Sequence, residues 1–440
     1  MDSETVLLYI GTIWVKWKAV KNIWQREVMR RKLLSLIHIY ETLNPERGDC
    51  QRNFWVRPIF TTECRLRQGA SDNLVKEMES ADKEKYINYF RMTPELFNKL
   101  STVLEPGLTK QTVVRDPIPA RTRLEITLRY LASGDSMMSI SYAFRVGHNT
   151  VSKIVKEGCD KIWNTLKDSV FLTPNVNNWK AIAESFNEKW NFPNCIGAID
   201  GKHVVLQAPP NSGSMYYNYK GTHSLVLLAC SDAHYRFTLI DIGAEGRRSD
   251  GGIFRTSNIG KRFEEDSLQL PPPQSVYGSS GPILPFVLLG DEAFPLSKYM
   301  MRPYPRSSAL NRTKKVFNYR LSRARRVVES AFGIMSAKWR IYRRPIIASM
   351  STATKIVQAT CCLHNYIISH EAEMPTAQRF YSILSTEERS AGSYALRDIE
   401  NAGLASHSVH ATRVREQYAN FFEGEGAVPW QWERVMRNDF

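Results

Sequence analysis

Residues 195–204 read CIGAIDGKHV: an apolar run, Cys195–Ile199, delivers a carboxylate at Asp200, and a second run follows at Val204–Leu206. A short β-rich run of this kind predicts a buried strand with an aspartate held rigidly at its end. The same theme returns at Phe286–Leu289, which ends in Gly290-Asp291. Between them, Leu225–Ala229 and Phe237–Ile242 are β-rich segments separated by Ser231-Asp232-Ala233-His234, the composition of a hairpin turn. A Pro-, Gly- and Ser-rich stretch from Pro271 to Pro282 reads as an exposed loop. Glu329 stands in VVESAFG, within a helix expected from about Asn318 to Lys338, whose Val328, Phe332 and Met335 would pack on the sheet. A helix laid across the sheet can aim Glu329 at the two strand-end aspartates.

Three carboxylates in one place repel one another unless a divalent cation neutralises them. Two Mg²⁺ ions about 4 Å apart can activate a water or a 3′-hydroxyl and stabilise the leaving oxygen in phosphodiester cleavage. The residues alone leave plainer readings open. Strand-end aspartates cap turns, and Arg325 stands four residues before Glu329, the spacing of an intrahelical ion pair. Asp250 is a rival for the second position, because it too follows a β-rich segment; its plainer reading is a helix N-cap.

The rest of the chain fits a polyanionic partner. Its 440 residues carry 59 Lys and Arg against 44 Asp and Glu, a net charge of +15, which points to nucleic acid or an acidic membrane face. Hydrophobic residues at 43% make it globular, and its length exceeds what one core usually serves. The expected division is a basic, aromatic N-terminal arm over 1–70, a helical domain over 71–190, a strand-bearing domain over 191–370 and a polar tail over 371–440. In the arm, Arg26, Arg30, Arg31 and Lys32 form either an import signal or a solvated helix face. Val6–Val15 is too short to span a bilayer and reads as a helix packed on the body. Seven scattered cysteines, without metal-ligand spacing, argue against a disulfide framework or a structural zinc site, and Cys195 and Cys230 read as buried small hydrophobes.

Within the helical domain, Ile140, Ala143 and Phe144 make a short apolar face, Val146-Gly147-His148 a tight connection, and Val151, Ile154 and Val155 a second helix. This is the layout of a helix-turn-helix, and equally of two packed helices. In the DNA-binding reading His148, Asn149, Thr150, Ser152 and Lys153 face the duplex. A second basic strip surrounds Glu329: Arg302, Arg306, Arg312, Lys314, Lys315, Arg320, Arg323, Arg325 and Arg326, with no Asp or Glu between Pro303 and Val328. Lys314, Lys315, Arg320, Arg323 and Arg326 are candidate phosphate contacts. Tyr216, Tyr217 and Tyr219 can stack on an unpaired base or plug a sheet edge.

Several long motifs, in order, carry a resemblance: CIGAIDGKHV, SGSMYYNYKGTHSLVLLACSDAHYRF, DIGAEGRRSDGGIF, LLGDEAFPLSKYMMRPYP, RVVESAFGIMSAKWRI and CLHNYI, with a weaker echo back to WVRPIF at 55–60. Over about Asn194 to Ile367 the sequence resembles the DDE nucleases of the PIF/Harbinger transposase superfamily and their domesticated derivatives. The resemblance implies an RNase H-like mixed sheet flanked by helices, preceded here by the all-helical domain with its helix-turn-helix-like segment. It implies Asp200, Asp291 and Glu329 as catalytic and metal-binding residues, with Asp250 matching a further acidic position and Mg²⁺ or Mn²⁺ as cofactor. It also implies DNA as substrate, a separate Myb/SANT-like DNA-binding partner, possible oligomers and a nuclear location with some cytoplasmic presence. A domesticated DNA- or chromatin-binding protein that keeps the fold without cutting is the competing expectation.

Overall fold

The computed structural model describes residues 3–20, 23–43, 56–111, 116–208, 216–218, 221–245, 250–276, 281–305, 310–390, 395–399 and 409–437. Two helices, α1 (Ser3–Ala19) and α2 (Ile23–Leu43), pack as a pair, with Val6, Trp17 and Leu33 buried and Arg26 4.6 Å over the Trp17 ring. The run Val6–Val15 is thus helical and rests on α2, while Leu7, Leu8, Tyr9 and Val15 stay exposed. Among the described residues no helix is long and apolar enough to cross a membrane.

A helical lobe follows: α3 (Thr62–Gln68), α4 (Leu74–Ala81), α5 (Lys83–Phe90), α6 (Pro94–Leu108), α7 (Ala120–Ser133), α8 (Met137–Phe144) and α9 (His148–Val170). The helical spacing of Phe97, Leu100 and Leu104, and of Leu124, Leu128 and Leu131, places all six in its core. Thr93 starts α6 by accepting the Leu96 N–H, and Pro94 presets the first turn. On α9, Gly158 lets α7 come so close that a β-carbon there would strike the Thr127 side chain.

After α10 (Val176–Trp190) the chain enters the sheet. The two apolar runs of the sequence are one strand, β1 (Cys195–Leu206), because β2 (His223–Ser231) pairs with it antiparallel from Ala198↔Ser231 to Leu206↔His223 and carries the polar middle along. β3 (Phe237–Glu245) closes the hairpin, whose turn is held by Asp232 accepting the N–H groups of His234 and Arg236 at 2.8 and 2.9 Å. Then come α11 (Asp250–Thr256), α12 (Asn258–Glu264) and a ribbon of β4 (Gln274–Ser275) with β5 (Ile283–Leu284), lying in the stretch expected to be loop. β6 (Val287–Leu289) and β7 (Met300–Met301) extend the sheet in parallel, giving the order β3-β2-β1-β6-β7, and β8 (Leu396–Asp398) also pairs with β1. The sheet is therefore mixed.

Side chains alternate across it. Ala198, Val204, Leu225, Leu227 and Ala229 share a core with Val328, Phe332 and Met335 of α13 (Arg312–Lys338) and with α14 (Met350–Ala372). Ile199, Val226, Leu228 and Cys230 share another with Phe186 of α10 and Ile253 and Phe254 of α11. Helix α13 begins ahead of its apolar stripe because Asn311 caps it, accepting the Lys314 N–H.

The expected polar tail needs correcting. After α15 (Thr386–Ser390) and β8, α16 (Val409–Glu423) and α17 (Gln431–Met436) pack onto α13, and Tyr418 and Phe422 are wholly buried against Phe192 and Phe317. Charged residues between these anchors disguise an amphipathic helix as surface chain. Phe422→Ala, which empties an aromatic site in that core, is expected to cost ~3–5 kcal/mol in chemical denaturation of the full chain. A loss below about 1 kcal/mol, the range of a surface change, would return these residues to a tail.

Candidate active site

Alternation along β1 decides where its polar residues point. Asp200 and Lys202 are in step with Ala198 and Val204, so they lie on the α13 side of the sheet. One edge of β1 is paired with β2 over its length, but the other changes partner midway. Cys195, Gly197 and Ala198 pair with β6 in parallel, whereas Lys202, His203 and Val204 pair with β8 antiparallel. Asp200 falls at the seam between these partners. Asp291 follows β6 by two residues, as Asp200 follows Ala198, the partner of Leu289. The two carboxylates therefore sit at matching levels on neighbouring parallel strands.

Their environments show the consequence. Asp200 is only 6% exposed, and burial pushes its carboxyl pKa up, more strongly than the nearby Lys202 and Arg325 pull it down, with Glu329 adding to the rise. Asp291 is raised too, first by burial and then by the charge of Asp200, although its Oδ1 accepts the Ala293 N–H at 2.9 Å. Lys202 answers part of this charge, with its Nζ 3.0 Å from Asp200 Oδ2 and a second bond to Asp398 across the β8 ladder. Burial alone would lower the Lys202 pKa, but these two carboxylates outweigh it and hold the ammonium above its ordinary value.

Glu329 arrives from α13 and lies near enough to Asp200 to raise its pKa. Its Oε1 is held by Arg325 at 2.5 Å, so the intrahelical pair left open by the spacing does form. Among the described residues, no group of three or more His, Cys, Asp or Glu side chains stands at metal-ligating spacing. The trio is gathered around a guanidinium rather than closed upon itself, as mutual repulsion requires. The donor set still suits a divalent ion: burial raises the cost of ionising both aspartates, Asp200 adds to it at Asp291, and a hard cation bound by oxygens would relieve it. Asp250 is the first residue of α11, and its side chain lies outside the described residues.

The basic candidates divide. Arg320 is 2% exposed and donates to Gln431 Oε1 (2.8 Å) and to the Gly426 and Asn191 carbonyls, so it is a core brace and not a phosphate contact. Arg323 is turned the same way, bonding the Trp190 carbonyl and Asn191 Oδ1 and lying 4.5 Å over the Trp430 ring. Charge in the sequence hides the inward register both share with the buried row of α13. Arg326 remains exposed, and Lys314 and Lys315 half-exposed. At the start of α9, His148, Asn149 and Lys153 are exposed and Thr150 and Ser152 partly so, beyond a turn fixed by Ser141 Oγ donating to the Val146 carbonyl at 2.6 Å. Tyr217 is half-exposed, with its ring 5.3 Å from that of His223, and Tyr219 lies outside the described residues.

Sequence reasoning missed Lys202 and Asp398. Only the two-residue spacing from Asp200 could have signalled the first, and nothing local could have signalled the second. It also left CLHNYI without a role. His364 bonds the Tyr235 carbonyl (2.8 Å), while Asn365 accepts the Phe237 N–H and donates to the Phe237 and Val170 carbonyls. These are struts joining the β2–β3 hairpin to the helical lobe, and burial takes the His364 pKa down to about 4.

A folded-state carboxyl raised above its unfolded value keeps a proton that the unfolded chain has already released. Stability therefore falls as pH rises from the ordinary carboxylate range through the raised value. In EDTA at pH 7, Asp291→Asn is expected to raise the melting temperature by ~1–3 °C and to lose that advantage near pH 4. A variant that melts lower than the parent at pH 7 would show the carboxylate to be satisfied as it stands.

Residues 199–365 match the family described as DDE superfamily endonuclease. The chain is 24% identical over 336 residues to Antagonist of Like Heterochromatin Protein 1 of Arabidopsis thaliana, covering 74% of this chain and 80% of that protein. An ALP1-like protein of the same plant is 24% identical over 311 residues, covering 66% and 72%. HARBI1 of Homo sapiens, whose name describes it as a provisional nuclease, is 21% identical over 299 residues, covering 67% and 80%. No solved structure matches the chain. Residues 199–365 thus match the DDE superfamily endonuclease family, and the chain is similar over most of its length to Antagonist of Like Heterochromatin Protein 1 and to HARBI1.

Proposed function

We propose that this protein is a divalent-metal-dependent endonuclease that cuts DNA phosphodiester bonds, with Asp200, Asp291 and Glu329 as its carboxylate set. The observation that carries the reading is the seam in the sheet, where burial raises the pKa of both Asp200 on β1 and Asp291 just past the parallel strand β6, and Asp200 adds to the rise at Asp291, beneath the helix that bears Glu329. DDE superfamily endonucleases generally use divalent metals, and Mg²⁺ or Mn²⁺ suits three carboxylates. Bound there, such an ion supplies Lewis acidity at the phosphoryl oxygen and a water acidified toward neutral pH. The chain itself supplies position. The β1 ladder and Lys202 fix Asp200, the Ala293 N–H fixes Asp291, and Glu329 turns inward by releasing Arg325. Arg326, Lys314 and Lys315 meet phosphates. His148, Asn149, Thr150, Ser152 and Lys153 meet the duplex as the start of the second helix of a helix-turn-helix. A nuclear location follows from the substrate.

A second reading, a DNA- or chromatin-binding protein that does not cut, is favoured by the bond between Arg325 and Glu329 and by the name of the first plant relative. The two part company on plasmid DNA. Mn²⁺-dependent nicking should fall by at least ~100-fold in Asp200→Ala, a change that removes a metal ligand, while filter retention of DNA persists. Equal nicking by parent and variant would assign the cutting to another protein, and no nicking by either would favour the binding role. Lys153→Ala should weaken DNA retention alike for all sequences and reduce the salt slope by about 1; an unchanged slope removes α9 from the interface.

A further inference from the structure

The seam holds two cations whose placement goes beyond charge balance. Lys202 Nζ bonds Asp200 Oδ2 at 3.0 Å and also Asp398 Oδ1, and its side chain is only 12% exposed, with the ammonium 5.6 Å from the Phe332 ring centre. Arg325 bonds Glu329 Oε1 at 2.5 Å. Each cation thus uses carboxylate lone pairs that a divalent ion would need for itself. They differ in one respect. Among the described residues, the only carboxylate Arg325 bonds is the one it would have to release. Lys202 has a second carboxylate directly opposite it in the β1–β8 ladder, and Asp398 is 78% exposed, off the buried side of the seam.

We propose that Lys202 and Arg325 are built-in counter-ions which a divalent metal displaces from Asp200 and Glu329, and that Asp398 retains Lys202 when it leaves Asp200. The inference rests on the carboxylate-site reading above. A buried ammonium that lost its only partner would be costly, so without Asp398 it would hold on to Asp200 and compete with the metal. With Asp398 beside it, the charge stays paired after the exchange. Strand β8, far along the chain from the carboxylates, thereby sets the metal affinity of the site. Lys202 and Asp398 are positioning residues, acting on the ligands rather than on DNA.

The test is Mn²⁺ binding by the full chain without DNA, followed by the electron paramagnetic resonance signal of the free ion. Lys202→Met keeps the aliphatic stem and removes the competing charge, so binding should tighten roughly tenfold. Asp398→Asn, an exposed change that leaves the core intact, should weaken binding several-fold. In the Lys202→Met background the same Asp398→Asn change should have little effect, because Asp398 acts through the ammonium; this arm separates its role from a bare long-range charge. Arg325→Gln should tighten binding as Lys202→Met does. Circular dichroism checks that each variant is folded, and if Lys202→Met is not, Asp398→Asn and Arg325→Gln decide. Binding in Lys202→Met no tighter than in the parent, or unchanged by Asp398→Asn, overturns the proposal while Asp200-dependent binding leaves the site itself in place. Mn²⁺ binding that is absent from the parent, or identical in Asp200→Asn, overturns the carboxylate site and the proposal with it.

Discussion

Repulsion between two carboxylates fixed on neighbouring parallel strands is the constraint around which this domain is arranged. Asp200 and Asp291 are held close, because Asp200 lies within β1 and Asp291 just past β6, and the two strands are paired and almost wholly buried. Water cannot screen them well, since burial is the leading reason both hold their protons more tightly. The surroundings respond with positive charge from two directions: along β1 itself at Lys202, and from the overlying helix at Arg325. Even so, burial leaves both aspartates holding their protons more tightly than free carboxyls do.

The seam depends in turn on a sheet that changes partners. If β6 ran the whole length of β1, Asp291 would lie far from Asp200; if β8 did, no second strand end would reach the level of the first. The chain obtains both short partners by bringing β6 from residues 287–289 and β8 from residues 396–398 to the same edge. The segment beyond β8 then returns through α16 and α17 to lock α13, with Arg320 and Arg323 donating to carbonyls and side chains at the end of α10 and in the C-terminal region. The basic character of α13 is thus partly architectural. Some arginines brace the helix that presents Glu329, and others face outward with their charge available.

A similar economy joins the helical lobe to the strand-bearing domain. Asn365 on α14 satisfies backbone groups of both the β3 edge and the end of α9, and His364 beside it bonds the hairpin. Buried polar contacts of this kind add little net energy when satisfied, but are costly to break. They fix register between the lobes more than they add cohesion, which the packing of α9 against α14 supplies.

The apolar run that carries Asp200, the strand end before Asp291, the helix of Glu329, the helical lobe and the hairpin were legible in the sequence because each is a local pattern, an apolar period broken at a defined residue; that Asp200 stands mid-strand was not, because only the β2 ladder carries β1 past it. The Arg325–Glu329 pair was legible only as an option, since spacing permits a bond without requiring it. The partner exchange along β1, the ion pair from Lys202 to Asp398 and the inward turn of Arg320 were not legible. Each joins residues far apart in the chain, and their formation depends on which surfaces other elements have already covered. Sequence by itself determined which residues could carry the chemistry, because residue type and period are written one position at a time. Tertiary structure decided which charges meet, because burial and Coulomb energy are properties of three-dimensional neighbourhoods and not of the order of residues.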